Sequence, residues 1–303
     1  MQLFLQRIFD GLNNGAVYAV VAIALVLIFK ATTLVNFAQA DMAMFGAYLT
    51  WMFATQQGWP VWPSILVAMI LTGIGGAVIE RVLIRPFDPS DHLPIVLITF
   101  GLAAILQAIA GWKWGLEFHK FPSPFPAKPT DYVGIGGARL RYETIGTLIA
   151  MVLMVLAVFL ILNKTKIGLA FRAVSSTIES SRLVGIKVGQ TLQFGWFLAA
   201  ALGTLGGALV ARQTNLEPAF MAKLVIFSFA AATLGGLDSI GGAVIGAFLV
   251  AMIQSILVGY AQQIPGLHWM KSNYALVIAF VVILVVLLFK PEGLYGTRRI
   301  ERV

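Results

Sequence analysis

Long stretches without charge constrain this chain more than any other feature. Only 11% of its 303 residues are charged and 59% are hydrophobic, whereas soluble domains average about 25% charged and about 45–50% apolar residues. A helix needs about 20 apolar residues to cross the hydrocarbon core of a bilayer. The composition excludes an ordinary soluble enzyme, and uncharged runs lie at residues 11–29, 42–79, 92–112, 144–163, 188–211, 224–237, 239–270 and 272–289.

These runs predict an all-α, polytopic membrane protein. Gly58-Trp59-Pro60 divides the run at 42–79 into two segments, so we expect eight or nine transmembrane or re-entrant helices. One segment, 224–237, has only 14 residues. Short segments are typical of broken or re-entrant helices, although a short tilted span is equally compatible with the sequence.

The segment 36–55 could either cross the membrane or re-enter it, because it begins with the polar residues Asn36, Gln39 and Asp41. If this segment crosses the membrane, counting back from the tail places the N-terminus outside. If it re-enters, the N-terminus lies inside.

The loops between the apolar runs differ in charge, and this predicts an orientation. Residues 164–187 carry five Lys or Arg residues and a single acid, Glu179, and the tail 290–303 carries four basic residues and two acids. Short loops rich in Lys and Arg stay in the cytoplasm. We therefore expect both regions to be cytoplasmic, with Arg81 and Arg85 on the same side. The loop 113–143, mixed in charge and rich in proline, is expected to form a small external cap.

The sequence contains none of the motifs by which a chain hydrolyses ATP or carries out catalysis on its own. It has no cysteine, no Gly-Lys of a P-loop, no His-Glu-x-x-His and no Gly-x-Ser-x-Gly. The histidines His92, His119 and His268 stand alone, so we expect no metal site, no cofactor and no enzymatic activity. Asp41 and Asp238 are the only acids near segment ends, and neither has an obvious basic partner. This disfavours a transporter with its own energy source.

The stretch 168–185 is the most distinctive part of the basic loop. Phe171, Val174 and Ile178 fall at i, i+3 and i+7, which predicts a short helix. Glycines bound the stretch on both sides, and small polar residues crowd it. Such a surface suits close docking of another protein, and an ordinary solvated loop helix is the equally weighted alternative.

Five sequence blocks, in order along the whole chain, carry a resemblance. They are the loop residues Gly168, Ala170, Arg172, Ala173, Leu183, Gly185 and Ile186; Asn36-Phe37-Ala38-Gln39 with Gly46-Ala47-Tyr48; Glu80-Arg81 with Arg85-Pro86; Leu234-Gly235-Gly236 with Ser239, Gly242-Ala243 and Gly246; and Pro291-Glu292-Gly293-Leu294-Tyr295-Gly296. The chain resembles permease subunits of the ABC importers for branched-chain amino acids, the hydrophobic amino acid uptake family. Its layout is most similar to the first of the two permeases, the LivH type.

The sequence departs from the family pattern at four positions. Ala40 replaces a common glycine, and Thr177 stands where the loop usually carries an acid. Asp238 occupies a position where glycine is frequent, and Gly241 one where proline is frequent. These differences affect what can be said about single residues and leave the family resemblance intact.

The resemblance implies an assembly around a single permease domain that spans residues 1–303 of a multi-pass protein in the plasma (inner) membrane. The implied partners are a LivM-type second permease, two cytoplasmic ATP-binding subunits, an external solute-binding protein and the lipid bilayer, with no nucleic acid. The implied solutes are branched-chain or other hydrophobic amino acids, or a related small solute. A secondary transporter that acts without an ATPase is the alternative, and it predicts inverted repeats with ion ligands at the membrane centre.

The resemblance also implies two sets of site residues. Residues 168–186 are expected to contact the ATPase and couple its motion to the membrane. Arg172 and Arg182 would pair with acids of the ATPase, while Glu179 orients the helix and apolar side chains pack. Small uncharged amides are expected to line the solute pathway. The coupling set is Gly168, Phe171, Arg172, Ile178, Glu179, Arg182, Leu183 and Gly185, and the pathway set is Asn36 and Gln39.

Overall fold

The computed structural model describes residues 1–32, 35–87, 92–261, 263 and 274–296. The described part contains eleven α-helices and one β-hairpin. The elements in chain order are α1 (Gln2–Thr32), α2 (Gln39–Trp51), α3 (Val61–Ile79), α4 (His92–Trp114), β1 (Tyr132–Ile135), β2 (Ala138–Arg141), α5 (Tyr142–Lys164), α6 (Lys166–Ser176), α7 (Ile178–Leu183), α8 (Val188–Thr214), α9 (Ala222–Gly235), α10 (Ile240–Ala261) and α11 (Ala275–Phe289).

The all-α prediction is confirmed. Six helices are long and apolar enough to cross a membrane, namely those that contain Gln2–Lys30, Val61–Ile84, Leu93–Trp114, Tyr142–Lys164, Val188–Thr214 and Ile240–Ala261. The helices α2, α9 and α11 account for the remaining apolar segments. At a rise of 1.5 Å per residue, the 14-residue α9 is about 21 Å long, which is shorter than the ~30 Å hydrocarbon core.

The chain folds into two compact units, each built from separate stretches. Unit 1 comprises Met1–Val26, Phe125–Met151 and Lys223–Val303, and unit 2 comprises Leu27–Pro124 and Val152–Ala222. The single permease domain over residues 1–303 stays a prediction.

In unit 2, α8 packs against α2 and α3, and glycines let the backbones approach closely. A Cβ at Gly207 would lie 2.5 Å from the carbonyl oxygen of Ala43 on α2, and one at Gly76 would lie 2.7 Å from that of Trp196 on α8. A lipid-embedded helix pair gains little from the hydrophobic effect, so close van der Waals packing of small residues holds it together. Two hydroxyls join the same helices, since the Oγ1 atoms of Thr72 and Thr204 are 2.6 Å apart.

The path of α2 can be followed within unit 2. Asn36, just before α2, lies at the end of the unit where α3 finishes and α8 begins, since it lines the same cavity as Arg85 and Gly189. The other end of α2 carries Trp51, whose ring centroid is 4.4 Å from that of His119. His119 in turn pairs its backbone with Leu216, beyond the end of α8.

The helix α2 therefore runs between the same two ends as α8, which favours a full crossing for the segment 36–55. Its continuation by a π-helical turn, Met52–Gln56, extends it to about 27 Å. The cytoplasm-side prediction for Arg85 is consistent with this arrangement, because Arg85 lines the same cavity as Arg182 of the basic loop.

Unit 1 contains the glycine-rich turn between α9 and α10. Gly246 of α10 approaches the carbonyl oxygen of Ala231 so closely that no Cβ would fit there. The C-terminal motif closes on the end of α9, since the backbone N–H of Leu294 donates to the carbonyl of Leu234 at 2.8 Å. At the other end of α10, the Ser255 hydroxyl donates to the Arg7 carbonyl at 2.7 Å. The N-terminus thus lies at the end of unit 1 opposite to the tail.

The cap loop 113–143 includes the hairpin of β1 and β2 in unit 1. Gly136 and Gly137 form its two-residue turn with φ of 56° and 83°, and turns of this type need positive φ at both positions. The side chain of Gln2 donates to the carbonyl of Gly137 at 2.8 Å, so the hairpin contacts the start of α1.

Asp41 of α2 is buried and accepts a hydrogen bond from Gln107 of α4, with a Nε2–Oδ1 distance of 2.8 Å. The sequence suggested no basic partner for Asp41, and the structure supplies an amide instead.

Two neighbouring glycines of α3 test whether close packing holds unit 2 together. We expect Gly76→Ala to lower the free energy of unfolding in detergent micelles by about 1–3 kcal/mol, because the new Cβ meets the Trp196 carbonyl and the Ala200 Cβ. Gly75→Ala is the matched control, since a Cβ there meets nothing within 4 Å. Equal effects of the two variants on chemical unfolding would contradict this account of the packing.

Candidate functional site

The basic loop forms two short helices and not one. The helix α6 ends at Ser176 and α7 begins at Ile178, and Thr177 between them is extended, with φ −154° and ψ 111°. The prediction of a single helix through Phe171, Val174 and Ile178 is wrong, because apolar spacing continues across a break that it cannot detect. The Thr165 hydroxyl caps α6 by accepting from the backbone N–H of Gly168 at 3.0 Å.

The inner face of α6 packs into unit 2. Phe171 is 1% exposed, and a Cβ at Gly195 of α8 would lie 2.8 Å from its ring. Gly168 approaches the carbonyls of Ile161 and Leu162 at the end of α5, where no side chain would fit. The expectation that Phe171 packs against an ATPase is therefore corrected, since this side chain holds α6 on α8.

The outer surface of the loop lies on α7 and the turn that follows it. Leu183 is 89% exposed and Val184 is 75% exposed. Gly185 has φ of +81°, and a Cβ there would meet nothing within 4 Å. Glu179 and Arg182 are exposed and form no ion pair with the described residues.

The remaining predicted coupling residues lie on either side of this surface. Arg172 is exposed on α6, where its Nη1 donates to the Asn163 side chain at 3.5 Å. Ile178 is half-buried. The structure thus brings Leu183, Arg182 and Gly185 to one exposed tip, and it separates them from Gly168 and Phe171.

A cavity of about 430 Å³ lies inside unit 2 beneath α7. Its wall comes from the end of α1, the end of α3, the start of α4, α7 and the start of α8. The lining residues include the apolar Ile28, Ile84, Ile95, Val188 and Leu192 and the polar or charged Asn36, Glu80, Arg85, Thr99, Arg182 and Trp196.

An ion pair between the buried Glu80 and the partly exposed Arg85 forms one side of the cavity. The Glu80 carboxylate is 1% exposed and accepts two bonds from Arg85, at 3.2 Å to Nε and 2.6 Å to Nη2. Arg85 Nη2 also donates to the Gly189 carbonyl at 2.7 Å and to Gln193 Oε1 at 3.2 Å. Arg85 therefore joins the end of α3 to the start of α8.

A π-helical turn places the two partners together. The backbone N–H of Arg85 donates to the Glu80 carbonyl at 2.7 Å, five residues back. This wider turn brings residue 85 under residue 80. From the sequence, Arg81 and Arg85 contributed to the orientation, and Glu80-Arg81 with Arg85-Pro86 contributed to the family resemblance. An ion pair between Glu80 and Arg85 was not predicted. An acid and a base five residues apart at the end of an apolar run were the signal for this pair.

Residues 7–287 match the family model described as the permease component of the branched-chain amino acid transport system. The chain belongs to this family. The permease protein BraD of Pseudomonas aeruginosa and the permease protein LivH of Escherichia coli K12, both named as parts of high-affinity branched-chain amino acid transport systems, are each 26% identical to it. Each match covers 99% of this chain and 98% of the relative.

A further relative is the probable branched-chain amino acid transport permease protein LivH of Methanocaldococcus jannaschii. It is 26% identical over 91% of this chain and 87% of its own. The chain is thus a multi-pass permease subunit of an ABC importer, and it is not itself an enzyme.

The two predicted pathway residues of this permease differ in their surroundings. Asn36 is buried, lines the cavity and forms a turn just before α2, where its Oδ1 accepts from the Ala38 backbone N–H at 3.0 Å. Gln39 is 0% exposed and donates to the Ala199 carbonyl of α8 at 3.0 Å. The two side chains are linked at 3.5 Å, and Gln39 is not part of the cavity lining.

The isolated histidines differ in what the structure shows of them. His119 Nε2 lies 2.8 Å from the Trp114 carbonyl, which gives it a structural partner. The side chain of His92 and all of His268 lie outside the described residues. Within the described part of the chain, no group of three His, Asp or Glu residues could hold a metal ion.

Removal of the buried carboxylate tests the Glu80–Arg85 pair. We expect Glu80→Ala to lower the free energy of unfolding by about 1.5 kcal/mol, because two charge-assisted hydrogen bonds to a buried carboxylate are lost while the partly exposed Arg85 guanidinium stays hydrated. Glu179→Ala, at an exposed acid of α7, is the control and is expected to change it by less than about 0.5 kcal/mol. Chemical unfolding in detergent measures both changes. A similar loss of unfolding free energy in the two variants would contradict a stabilising role for the Glu80–Arg85 pair.

Proposed function

We propose that this permease moves branched-chain or other hydrophobic amino acids, or a related small solute, across the plasma (inner) membrane. An external binding protein delivers the solute, and two cytoplasmic ATP-binding subunits drive its passage. A LivM-type second permease completes the pathway. The observation that carries the proposal is the match over nearly the whole chain to BraD and LivH, whose names state branched-chain amino acid transport.

The orientation in this proposal follows the positive charge. The loop 164–187 faces the cytoplasm, as does the tail, because short loops with an excess of Lys and Arg are retained on that side. In unit 1 the N-terminus lies at the end opposite to the tail. In unit 2 the end of α1 lies beside the basic loop. Both observations support an N-terminus on the outer side of the membrane in this proposal.

The contact with the ATP-binding subunit is assigned to α7 and the turn 183–185. Exposed ion pairs contribute only about 0.2–1 kcal/mol each, so Arg172 and Arg182 add specificity more than affinity. Burial of a leucine side chain contributes about 1.5–3 kcal/mol. Leu183, with Val184 beside it, is therefore expected to dominate the contact.

Asn36 remains the proposed pathway residue. Its amide is uncharged and lines a cavity, so it could hydrate a passing zwitterion without holding it strongly. Gln39 supports this residue from behind, through the 3.5 Å contact between the two side chains.

The proposal and its alternative, a secondary transporter, differ in their source of energy, which is ATP in the first and an ion gradient in the second. We expect the complex reconstituted in liposomes to take up radiolabelled leucine only with the binding protein outside and ATP inside. The permease chain alone should accumulate nothing when a proton or sodium gradient is imposed. Accumulation by the chain alone against a leucine gradient would falsify the proposal and support the alternative.

A pair of exposed leucines tests the ATPase contact. We expect Leu183→Glu to reduce binding-protein-stimulated ATP hydrolysis roughly tenfold, because the apolar contact is lost and a charge is placed against it. The matched control is Leu116→Glu, since Leu116 is 77% exposed near the opposite end of unit 2. The amount of assembled complex is measured beside the activity. Full stimulated hydrolysis in Leu183→Glu would remove α7 from the contact.

A further inference from the structure

A groove of about 140 Å³ lies in unit 2 between α2, α3 and α4, apart from the cavity beneath α7. Space remains in this groove, because a Cβ at Gly75 of α3 would meet nothing within 4 Å. The groove also opens to the outside of the unit, since Leu71 in its wall is 44% exposed. The wall residues include Phe45 and Leu49 of α2, Leu71, Gly75 and Ile79 of α3, and Leu106 of α4.

The groove offers no free polar group to an occupant. Thr72 is the one polar residue among the described residues of its wall. The Thr72 hydroxyl lies 2.8 Å from the Ala68 carbonyl oxygen and 2.6 Å from the Thr204 hydroxyl, so the protein itself satisfies it. A polar group placed in the groove would lose its hydrogen bonds to water without replacement. The occupant is therefore a hydrocarbon, which distinguishes this groove from a solute pathway.

The exposed face of α3 continues the groove as a stripe that ends in a positive charge. Leu71, Ile74 and Val78 are 44%, 51% and 52% exposed, and Arg81 follows three residues later and is also exposed. Residues three and four apart are neighbours on a helix surface, so these four side chains form one stripe. Leu71 belongs to both the groove and the stripe.

The position of Arg81 along α3 matches a membrane–water interface. Near the other end of the helix, Trp62 is 38% exposed, and tryptophan is enriched at both interfaces of a bilayer. The rise from Trp62 to Arg81 is about 28 Å, which agrees with a hydrocarbon core of about 30 Å. Arg81 therefore lies at the level of the phospholipid headgroups, and the groove lies beside the acyl chains.

The charge at the end of the stripe favours an anion. Arg81 forms no ion pair with any described residue. Its neighbour Glu80 already accepts two hydrogen bonds from Arg85. A guanidinium binds a phosphate through two parallel hydrogen bonds, and the cytoplasmic leaflet of a membrane carries anionic lipids.

We infer that Arg81 and the groove together bind one anionic phospholipid of the cytoplasmic leaflet. The headgroup phosphate binds the Arg81 guanidinium, and one acyl chain lies in the groove from Ile79 to Leu71, along about 12 Å of α3. A helix of a second copy of this chain would also cover the groove, but its apolar side chains would leave the Arg81 charge without an anion. Only the choice of leaflet rests on the orientation proposed above.

The lipid has a structural consequence for unit 2. Its acyl chain contacts α2, α3 and α4 at once, because all three helices line the groove. A ligand that binds only the folded state raises the unfolding temperature. The anionic lipid therefore stabilises the packing of these helices.

The test is native mass spectrometry of the full chain, released from detergent micelles that contain equal amounts of phosphatidylglycerol and phosphatidylethanolamine. The two lipids carry identical acyl chains, and only phosphatidylglycerol has a net negative charge. We expect the first lipid retained by the chain to be phosphatidylglycerol with roughly fivefold preference, the factor expected for the attraction of one basic side chain to an anionic lipid surface.

Two variants separate the headgroup from the acyl chain. Arg81→Gln should bring the preference for phosphatidylglycerol close to parity, because the charge is lost while the groove stays open. Gly75→Leu should lower the retention of both lipids roughly fivefold and keep the preference, because the new side chain fills the groove. The matched controls are Lys120→Gln, at an exposed basic residue of the cap loop, and Gly101→Leu, where a Cβ also meets nothing within 4 Å. Both controls should retain lipid as the original chain does.

Thermal unfolding provides a second measurement. Phosphatidylglycerol should raise the unfolding temperature of the original chain more than phosphatidylethanolamine does, and this difference should disappear in Arg81→Gln.

Three results would overturn the inference: equal retention of the two lipids by the original chain, an unchanged preference in Arg81→Gln, or unchanged retention in Gly75→Leu. A dimer of the chain that excludes phosphatidylglycerol and is lost in Gly75→Leu would also overturn it, since the groove would then belong to a second copy. None of these measurements involves ATP, so failure here is distinguishable from failure of the proposed function.

Discussion

The close approach of α8 to α2 and α3 is the constraint on which the rest of unit 2 depends. A lipid-facing helix gains no hydrophobic energy by meeting another helix, so the contact must come from packing and hydrogen bonds. Gly203 and Gly207 of α8 allow α2 to approach, and Gly76 of α3 allows α3 to approach α8. Gln39 and Thr72 then add hydrogen bonds to α8 that would fail at a larger separation.

The seam between α3 and α8 continues as far as the basic loop. After Thr72 and Gly76, the next contact is the Gln193 side chain, which donates to the Ala77 carbonyl at 3.1 Å. Arg85 completes the seam by joining Glu80 to Gly189. The start of α8 is therefore fixed to the core, while residues 184–187 connect it directly to α7. Any displacement of α7 acts on a helix start that is held by the Glu80–Arg85 ion pair.

The sequence predicted the apolar helices well because the membrane imposes a simple rule on them. Each crossing must satisfy its backbone internally and present apolar side chains, so charge-free runs mark the spans. Local breaks and irregular turns within the helical segments were harder to predict from the sequence. Thr177 interrupts the loop without interrupting the apolar spacing, and the π-helical turn at Glu80 leaves no separate signal in composition. The burial of Phe171 depended on Gly195 of α8, 24 residues away, which no local pattern reveals.

The two parts of the candidate site, the exposed tip of the basic loop and the cavity beneath α7, also differ in how far the sequence predicts them. The outer part lies in the basic loop that the sequence singled out, with Arg182, Leu183 and Gly185 at its exposed tip, and its role as a contact surface stays a prediction. The inner part was not predicted, because a cavity is a property of several elements that meet in space. Asn36, Glu80 and Arg182 come from three sequence blocks that a motif search treats as independent.

The unequal attachment of α6 and α7 decides which of them can move. The helix α6 buries Phe171 and Val174, and Gly168 fits against the end of α5. The helix α7 buries only Ser181, whose hydroxyl donates to the Thr177 carbonyl within the same loop. Segments with few buried contacts open at low free energy. A force on Leu183 therefore moves α7 before α6, and the cavity that α7 covers changes shape with it.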